Sequence, residues 1–199
     1  RMNALKICGI NSAEFAHAAS AAGADYLGFI FAAKSPRRVT PEEAERILPH
    51  INRSRTKAVG VFVNATETEI RAIAERLKLD VIQLHGTESA ELATSLRKDY
   101  EVWKAISVSF DPAYPTDAFL VDSQTPGSGK RSDRTLAQQV LDAGKKLVLA
   151  GGLSAANLAE AAETGADVLD VNSSLEDAPG HKSMEKLKEL ITTYQGVPK

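Results

Sequence analysis

Eight short apolar runs, all but the fifth followed by a stretch with helix-forming character, divide this chain into units of about 20 to 25 residues, and that rhythm limits what it can become. The runs centre on Lys6-Ile10, Tyr26-Phe31, Ala58-Val63, Val81-Leu84, Val102-Ile106, Phe119-Val121, Leu147-Ala150 and Val168-Val171. Many are apolar on successive residues. A strand reads that way when both of its faces are covered, as in a parallel sheet wrapped by helices. The stretches between carry helix signals. Ser12 is placed to cap a helix through Phe15 and Ala19 to Ala22, with Gly23 as its stop. Thr40-Pro41-Glu42-Glu43 reads as a second capped start. Others open near Thr66-Glu67, over Glu88 to Lys98, near Ser132-Asp133, after Ser154, and from about Ser183 to Tyr194. Between Ser107 and Asp117, Pro112 and Pro115 leave no room for a normal helix, so a loop or single turn is expected there.

Eight such units predict a (β/α)8 TIM barrel with eight parallel strands, a single domain over residues 1-199, near the lower size limit of that fold. The rival is an open doubly wound sheet. It usually has fewer strands and a Gly-rich turn after the first, and Cys8-Gly9-Ile10-Asn11 is no G-x-G-x-x-G.

Charge and composition narrow the function. A formal net charge of -2 without a basic stripe argues against a nucleic-acid partner. No apolar run approaches the roughly 20 residues that cross a bilayer, so no membrane partner is expected. The N-terminus has no long apolar signal segment. Cys8 is the only cysteine, which excludes an internal disulfide and fits the cytoplasm. The histidines, His17, His50, His85 and His181, are scattered, so no metal is expected.

In such a barrel chemistry sits at the C-terminal strand ends. Reading those ends in order gives Cys8; Lys34, Ser35, Arg37 and Arg38; Asn64; Gln83 and His85; Asp122 and Ser123; Gly151-Gly152; and Asn172-Ser173-Ser174. Cys8 is either a reactive thiol or a small buried hydrophobe. Asp122 suits a general acid, or equally a helix cap or a structural hydrogen bond. His85 is an acid/base, a ligand contact or a solvated loop residue. One of Arg37 and Arg38 is expected to hold an anionic group. Gly151-Gly152 before a helix start, next to Asn172-Ser173-Ser174, points to phosphate binding by loops seven and eight; alone, Gly-Gly is a tight turn. Thr125-Pro126-Gly127-Ser128-Gly129-Lys130 is no P-loop; it reads as a lid adding N–H groups to the phosphate, or as a surface loop. Asp170 either points into the barrel or braces a neighbouring loop.

Seven motifs in register then carry a resemblance. They are Lys6-Ile7-Cys8-Gly9-Ile10; Gly28-Phe29-Ile30-Phe31 with Lys34-Ser35-Pro36-Arg37-Arg38; Val59-Gly60-Val61-Phe62-Val63-Asn64; Gln83-Leu84-His85-Gly86; Leu120-Val121-Asp122-Ser123; Ala150-Gly151-Gly152-Leu153; and Asp170-Val171-Asn172-Ser173. Together they resemble the phosphoribosylanthranilate isomerase family over nearly the whole chain. The resemblance implies a cofactor-free Amadori rearrangement of a small phosphorylated substrate, N-(5'-phosphoribosyl)anthranilate, in tryptophan biosynthesis. It implies Asp122 as the general acid that opens the furanose ring and Cys8 as the base that takes the C2 proton. Arg37 would hold the anthranilate carboxylate and His85 would line the pocket. Gly129, Gly151, Gly152, Asn172, Ser173 and Ser174 would bind the rest of the substrate. The assembly would be a monomer or a homodimer.

A thiolate base calls for a lowered thiol pKa, and Lys6, on the same strand face as Cys8, is the expected cation. The chain departs from the family pattern at Ser174, where the family usually has glycine. A positive φ there would strain the serine. The segment after Gly-Ser-Gly-Lys, Arg131-Ser132-Asp133-Arg134, also differs. The alternatives are another sugar-phosphate barrel isomerase, of the histidine-pathway type, and a non-catalytic ribose-phosphate-binding barrel.

Overall fold

The computed structural model describes residues 3–122 and 134–198. Eight parallel strands close into a barrel in chain order: β1 (Ala4–Ile7), β2 (Tyr26–Ile30), β3 (Lys57–Phe62), β4 (Val81–Leu84), β5 (Glu101–Ile106), β6 (Ala118–Asp122), β7 (Leu147–Ala150) and β8 (Val168–Val171). β8 pairs back onto β1, with Lys6 opposite Asp170 and Ile7 opposite Val171.

Seven helices are described: α1 (Ala13–Ala21), α2 (Pro41–Ile47), α3 (Glu67–Leu77), α4 (Ala90–Leu96), α5 (Thr135–Asp142), α6 (Leu158–Ala162) and α7 (Met184–Gln195). Their starts are set locally. Ser12 accepts from the Phe15 N–H, and Ser183 from that of Lys186. Thr40 and Thr66 each form a full capping box, with Glu43 and Glu69 reaching back. Between β5 and β6 there is no helix. Asp111 accepts from the Ala113 N–H (2.9 Å) in a turn, and Phe110 packs edge-on against Phe119 (centroids 4.9 Å apart).

The alternation of side chains explains the continuous apolar runs. Leu5, Ile7, Leu27, Phe29, Ile82 and Leu84 belong to a buried cluster shared with the helices. Tyr26, Val59, Val81, Trp103, Ala118, Leu120, Val148 and Val168 fill the barrel, where Trp103 is fully buried with its ring edge-on to Tyr26. At the N-terminal end a repeat closes the strand pairs. Asp25, Asp80, Asp117 and Asp167 each immediately precede an even-numbered strand. Their carboxylates accept from the backbone N–H of Leu5, Ala58, Val102 and Leu147 on the strand before, at 2.8, 2.8, 2.8 and 3.0 Å. This face stabilises the barrel and leaves the opposite end for function.

Several expected boundaries move. β1 spans Ala4–Ile7 rather than 6–10, because Gly9 at φ 76° turns the chain out of the sheet. The helix expected over Glu88 to Lys98 is Ala90–Leu96, capped by Ser89. Glu88 stays outside it because its carboxylate accepts from the Asn64 and Gly86 N–H groups and pairs with Lys104. α6 starts at Leu158 because residues 154–157 form turns. Asn157 there accepts from the Ser154 N–H and donates to the Gly152 carbonyl, both at 2.8 Å. The start expected at Ser132-Asp133 lies outside the described residues. A short antiparallel hairpin, β9 (Glu176–Ala178) with β10 (His181–Lys182), was not anticipated.

Candidate active site

At the C-terminal ends of the strands the barrel interior opens into a cavity of about 490 Å³. Its walls follow from period-two alternation. Cys8 continues β1, Ile30 and Ala32 come from β2 and beyond, Val61 and Val63 from β3, and Gln83 and His85 from β4. Across the barrel stand Leu120 and Asp122, Ala150 and Gly152, and Asp170 and Asn172. Because the barrel closes in chain order, the rim from β6 to β2 carries Asp122, Gly151-Gly152, Asn172-Ser173, Cys8 and Arg37 in sequence.

Cys8 is 6% exposed. Gly28 on the neighbouring strand makes its space: a Cβ there would lie 2.7 Å from Cys8 Sγ. Below it, Lys6 Nζ donates to Asp170 Oδ2 at 2.8 Å, a pair buried inside the barrel. Burial works against the charge on Lys6, yet Asp170 and Cys8 hold its pKa above the ordinary lysine value. Burial pushes the Asp170 carboxyl up, against the pull of Lys6. The same burial raises the Cys8 thiol pKa and outweighs the pull of Lys6 and Lys182; the Asp170 charge raises it further. Lys6 pulls the thiol in the expected direction, but the expectation of a net lowered thiol pKa is corrected, because burial prevails. Asp170 Oδ1 is buried without a hydrogen-bond partner among the described residues, so Asp170 points into the barrel and lines the site.

Asp122 ends β6, solvent-exposed on the cavity wall. His85 is also open to solvent, with Gln83 Nε2 at 3.1 Å from its Nδ1. Desolvation by the surrounding rim, with the Lys6 charge, holds its pKa below the usual histidine value. Of the two arginines, Arg37 lines the cavity and Arg38 is exposed outside it, its backbone bridged to Ile30. Gly151 and Gly152 both take positive φ, 88° and 65°, which a side chain would strain. Asn172 and Ser173 line the cavity beside them.

Ser174 departs from expectation. It lies in a 3-10 turn (Ser173–Leu175) without positive φ, so serine is unstrained there. Its hydroxyl turns away from the cavity and donates to the Leu153 carbonyl at 2.6 Å, tying loop eight to loop seven. Gly129 and its neighbours lie outside the described residues. Among the described residues no group of three or more His, Cys, Asp or Glu side chains is placed to hold a metal.

Sequence reasoning did not assign roles to Glu176 and Lys182, which stand behind Arg37 and Asn172, nor to the Lys6–Asp170 pair. The pair left a signal: each member precedes by two positions a cavity residue just past the end of its strand, Cys8 or Asn172.

A sequence family described as N-(5'phosphoribosyl)anthranilate (PRA) isomerase matches residues 5–193. The chain is 37% identical over 198 residues to the N-(5'-phosphoribosyl)anthranilate isomerase of Trichlorobacter lovleyi, covering 94% of this chain and 95% of the relative. It is similar to the crystal structure of phosphoribosyl anthranilate isomerase from Thermus thermophilus: TM-score 0.90, 38% identity, 98% of this chain and 100% of that one. It is also similar to a phosphoribosyl anthranilate isomerase in complex with reduced 1-(o-carboxyphenylamino)-1-deoxyribulose 5-phosphate: TM-score 0.87, 33% identity, the same coverage.

Proposed function

The chain belongs to the N-(5'-phosphoribosyl)anthranilate isomerase family, and on that premise we propose that Cys8 and Asp122 are the base and the acid of its aldose–ketose rearrangement in tryptophan biosynthesis. The observation that carries this assignment is the order around the rim. Asp122 and Cys8 flank the loops after β7 and β8 and face one cavity. A ribose anchored through its phosphate at Gly151-Gly152 and Asn172-Ser173 lies between them. Arg37, next to Cys8, takes the anthranilate carboxylate. Ile30, Ala32, Val61 and Val63 make the apolar wall that an aromatic ring needs.

Asp122 protonates the furanose ring oxygen as the C1–O bond breaks. The nitrogen lone pair closes the protonated Schiff base. The Cys8 thiolate then takes the C2 proton, and the C–H electrons form the enolamine double bond. Tautomerisation moves a proton to C1 and leaves the C2 ketone. The productive enzyme holds one proton on Asp122 and none on Cys8. A thiol kept at high pKa by burial is sparsely ionised but is a strong base once it is.

Purified protein given freshly generated N-(5'-phosphoribosyl)anthranilate is expected to abolish its anthranilate-type fluorescence with saturable kinetics. No turnover would favour a barrel that only binds ribose phosphates. No helix among the described residues is long and apolar enough to cross a membrane, and the biosynthetic role supports a cytoplasmic setting.

A further inference from the structure

Arg37 is gripped from behind. Its Nη2 donates to Glu176 Oε1 at 2.6 Å and its Nε to Oε2 at 2.9 Å, a bidentate fork. Glu176 Oε2 also accepts from Lys182 Nζ (2.9 Å), which in turn donates to Asn172 Oδ1 (2.8 Å). The Glu176 side chain is 3% exposed and is not part of the cavity wall, whereas Arg37 is. Burial opposes the charge on Glu176, but hydrogen bonds from Arg37 and Lys182 hold its pKa below the ordinary carboxylate value. Its backbone is anchored too. Glu176 opens β9, its carbonyl accepts from Lys186 Nζ (2.7 Å), and the Asn11 amide donates to the hairpin at the Gly180 carbonyl (2.8 Å).

We propose that Glu176 is a positioning residue: by clamping Arg37 in a fixed fork it sets the preference of the site for ligands that carry a carboxylate on the aromatic ring. This rests on the reading of Arg37 as the carboxylate holder. Two cations and one carboxylate leave the cluster one positive charge, which one incoming carboxylate neutralises. The clamp occupies Nε and Nη2, and Nη1 makes no hydrogen bond among the described residues. A free arginine would lose several rotamers on binding; a clamped one has already lost them.

Reductive amination of ribose 5-phosphate with anthranilate or with 2-aminobenzamide gives two stable ligands that differ in the carboxylate alone. Their Kd values, measured by titration calorimetry on the whole chain, test the proposal. Glu176→Gln is expected to weaken the carboxylate ligand about tenfold and leave the amide ligand unchanged. Glu176→Asp, which keeps the charge but is one methylene short, should move the same ratio in the same direction, and it decides the question if Glu176→Gln does not fold. In an Arg37→Ala background, Glu176→Gln should add nothing. Equal losses on both ligands from the Glu176 variants, while Arg37→Ala weakens the carboxylate ligand alone, would overturn the clamp alone. Equal losses on both from Arg37→Ala would overturn the carboxylate-holder reading and the clamp with it.

Discussion

Cys8→Ala is expected to lower kcat for phosphoribosylanthranilate conversion on the order of a thousandfold while leaving product affinity within about twofold, because general-base catalysis contributes roughly 10²–10⁴. Cys8 is the single group at the end of β1 that reaches the cavity, and it lies between the phosphate loops and Arg37. Neither anchor is touched by the substitution. Removing one buried sulfur costs about 1 kcal/mol of stability, a small change against the expected loss of turnover. Stopped-flow fluorescence for turnover and a thermal melt for folding separate the two. Wild-type kcat in a folded Cys8→Ala variant would remove the thiol from the mechanism.

Asp122→Asn should cost a similar factor in kcat, again about 10²–10⁴. Asparagine keeps the shape and volume of the side chain at the end of β6 but cannot release a proton to the ring oxygen. The substrate therefore binds in its closed furanose form and stays there. KM should remain within a few-fold of wild type, since the phosphate loops and Arg37 are unchanged. A large rise in KM with kcat preserved would assign Asp122 to binding instead.

Much of this was legible in the sequence because it is local. Strands showed as apolar runs because each packs against helices outside and side chains inside, so both faces had to be apolar. Ser12, Thr40, Thr66 and Ser183 announced helices because a cap acts within three residues of itself. Pro112 and Pro115 announced the missing helix for the same reason. The candidate site residues were read as the polar groups at the C-terminal strand ends, and the family resemblance supplied the roles expected of them.

What escaped was made by distant partners. Arg37 and Glu176 are 139 positions apart, and Lys6 and Asp170 are 164 apart. The local sequence around none of these residues says which distant residue it will meet, and only β1–β8 closure brings the second pair together. Glu88 read as a helix residue, yet it serves the loops after β3 and β4, the first of them at Asn64, 24 positions away. Lys6 was the natural candidate to acidify Cys8. Its charge is already engaged by Asp170, and the burial that places the thiol in the barrel mouth outweighs it. The aspartates before β2, β4, β6 and β8 were a readable repeat that apolar periodicity alone passes over.

The most direct test of the acid–base pair is the pH dependence of kcat/KM for Cys8→Asp beside wild type. The productive enzyme shares one proton between positions 8 and 122, so activity falls on the alkaline side when that last proton leaves. In wild type that limb belongs to the thiol. Burial raises its pKa, with Lys6, Asp170 and Lys182 around it, and activity should persist into the alkaline range. A carboxylate at position 8 has a far lower pKa, so its variant should keep measurable turnover with an alkaline limb displaced downward by about 3 or more pH units. A limb that stays at the wild-type pH would show that the group at position 8 is not the base, and would contradict the account.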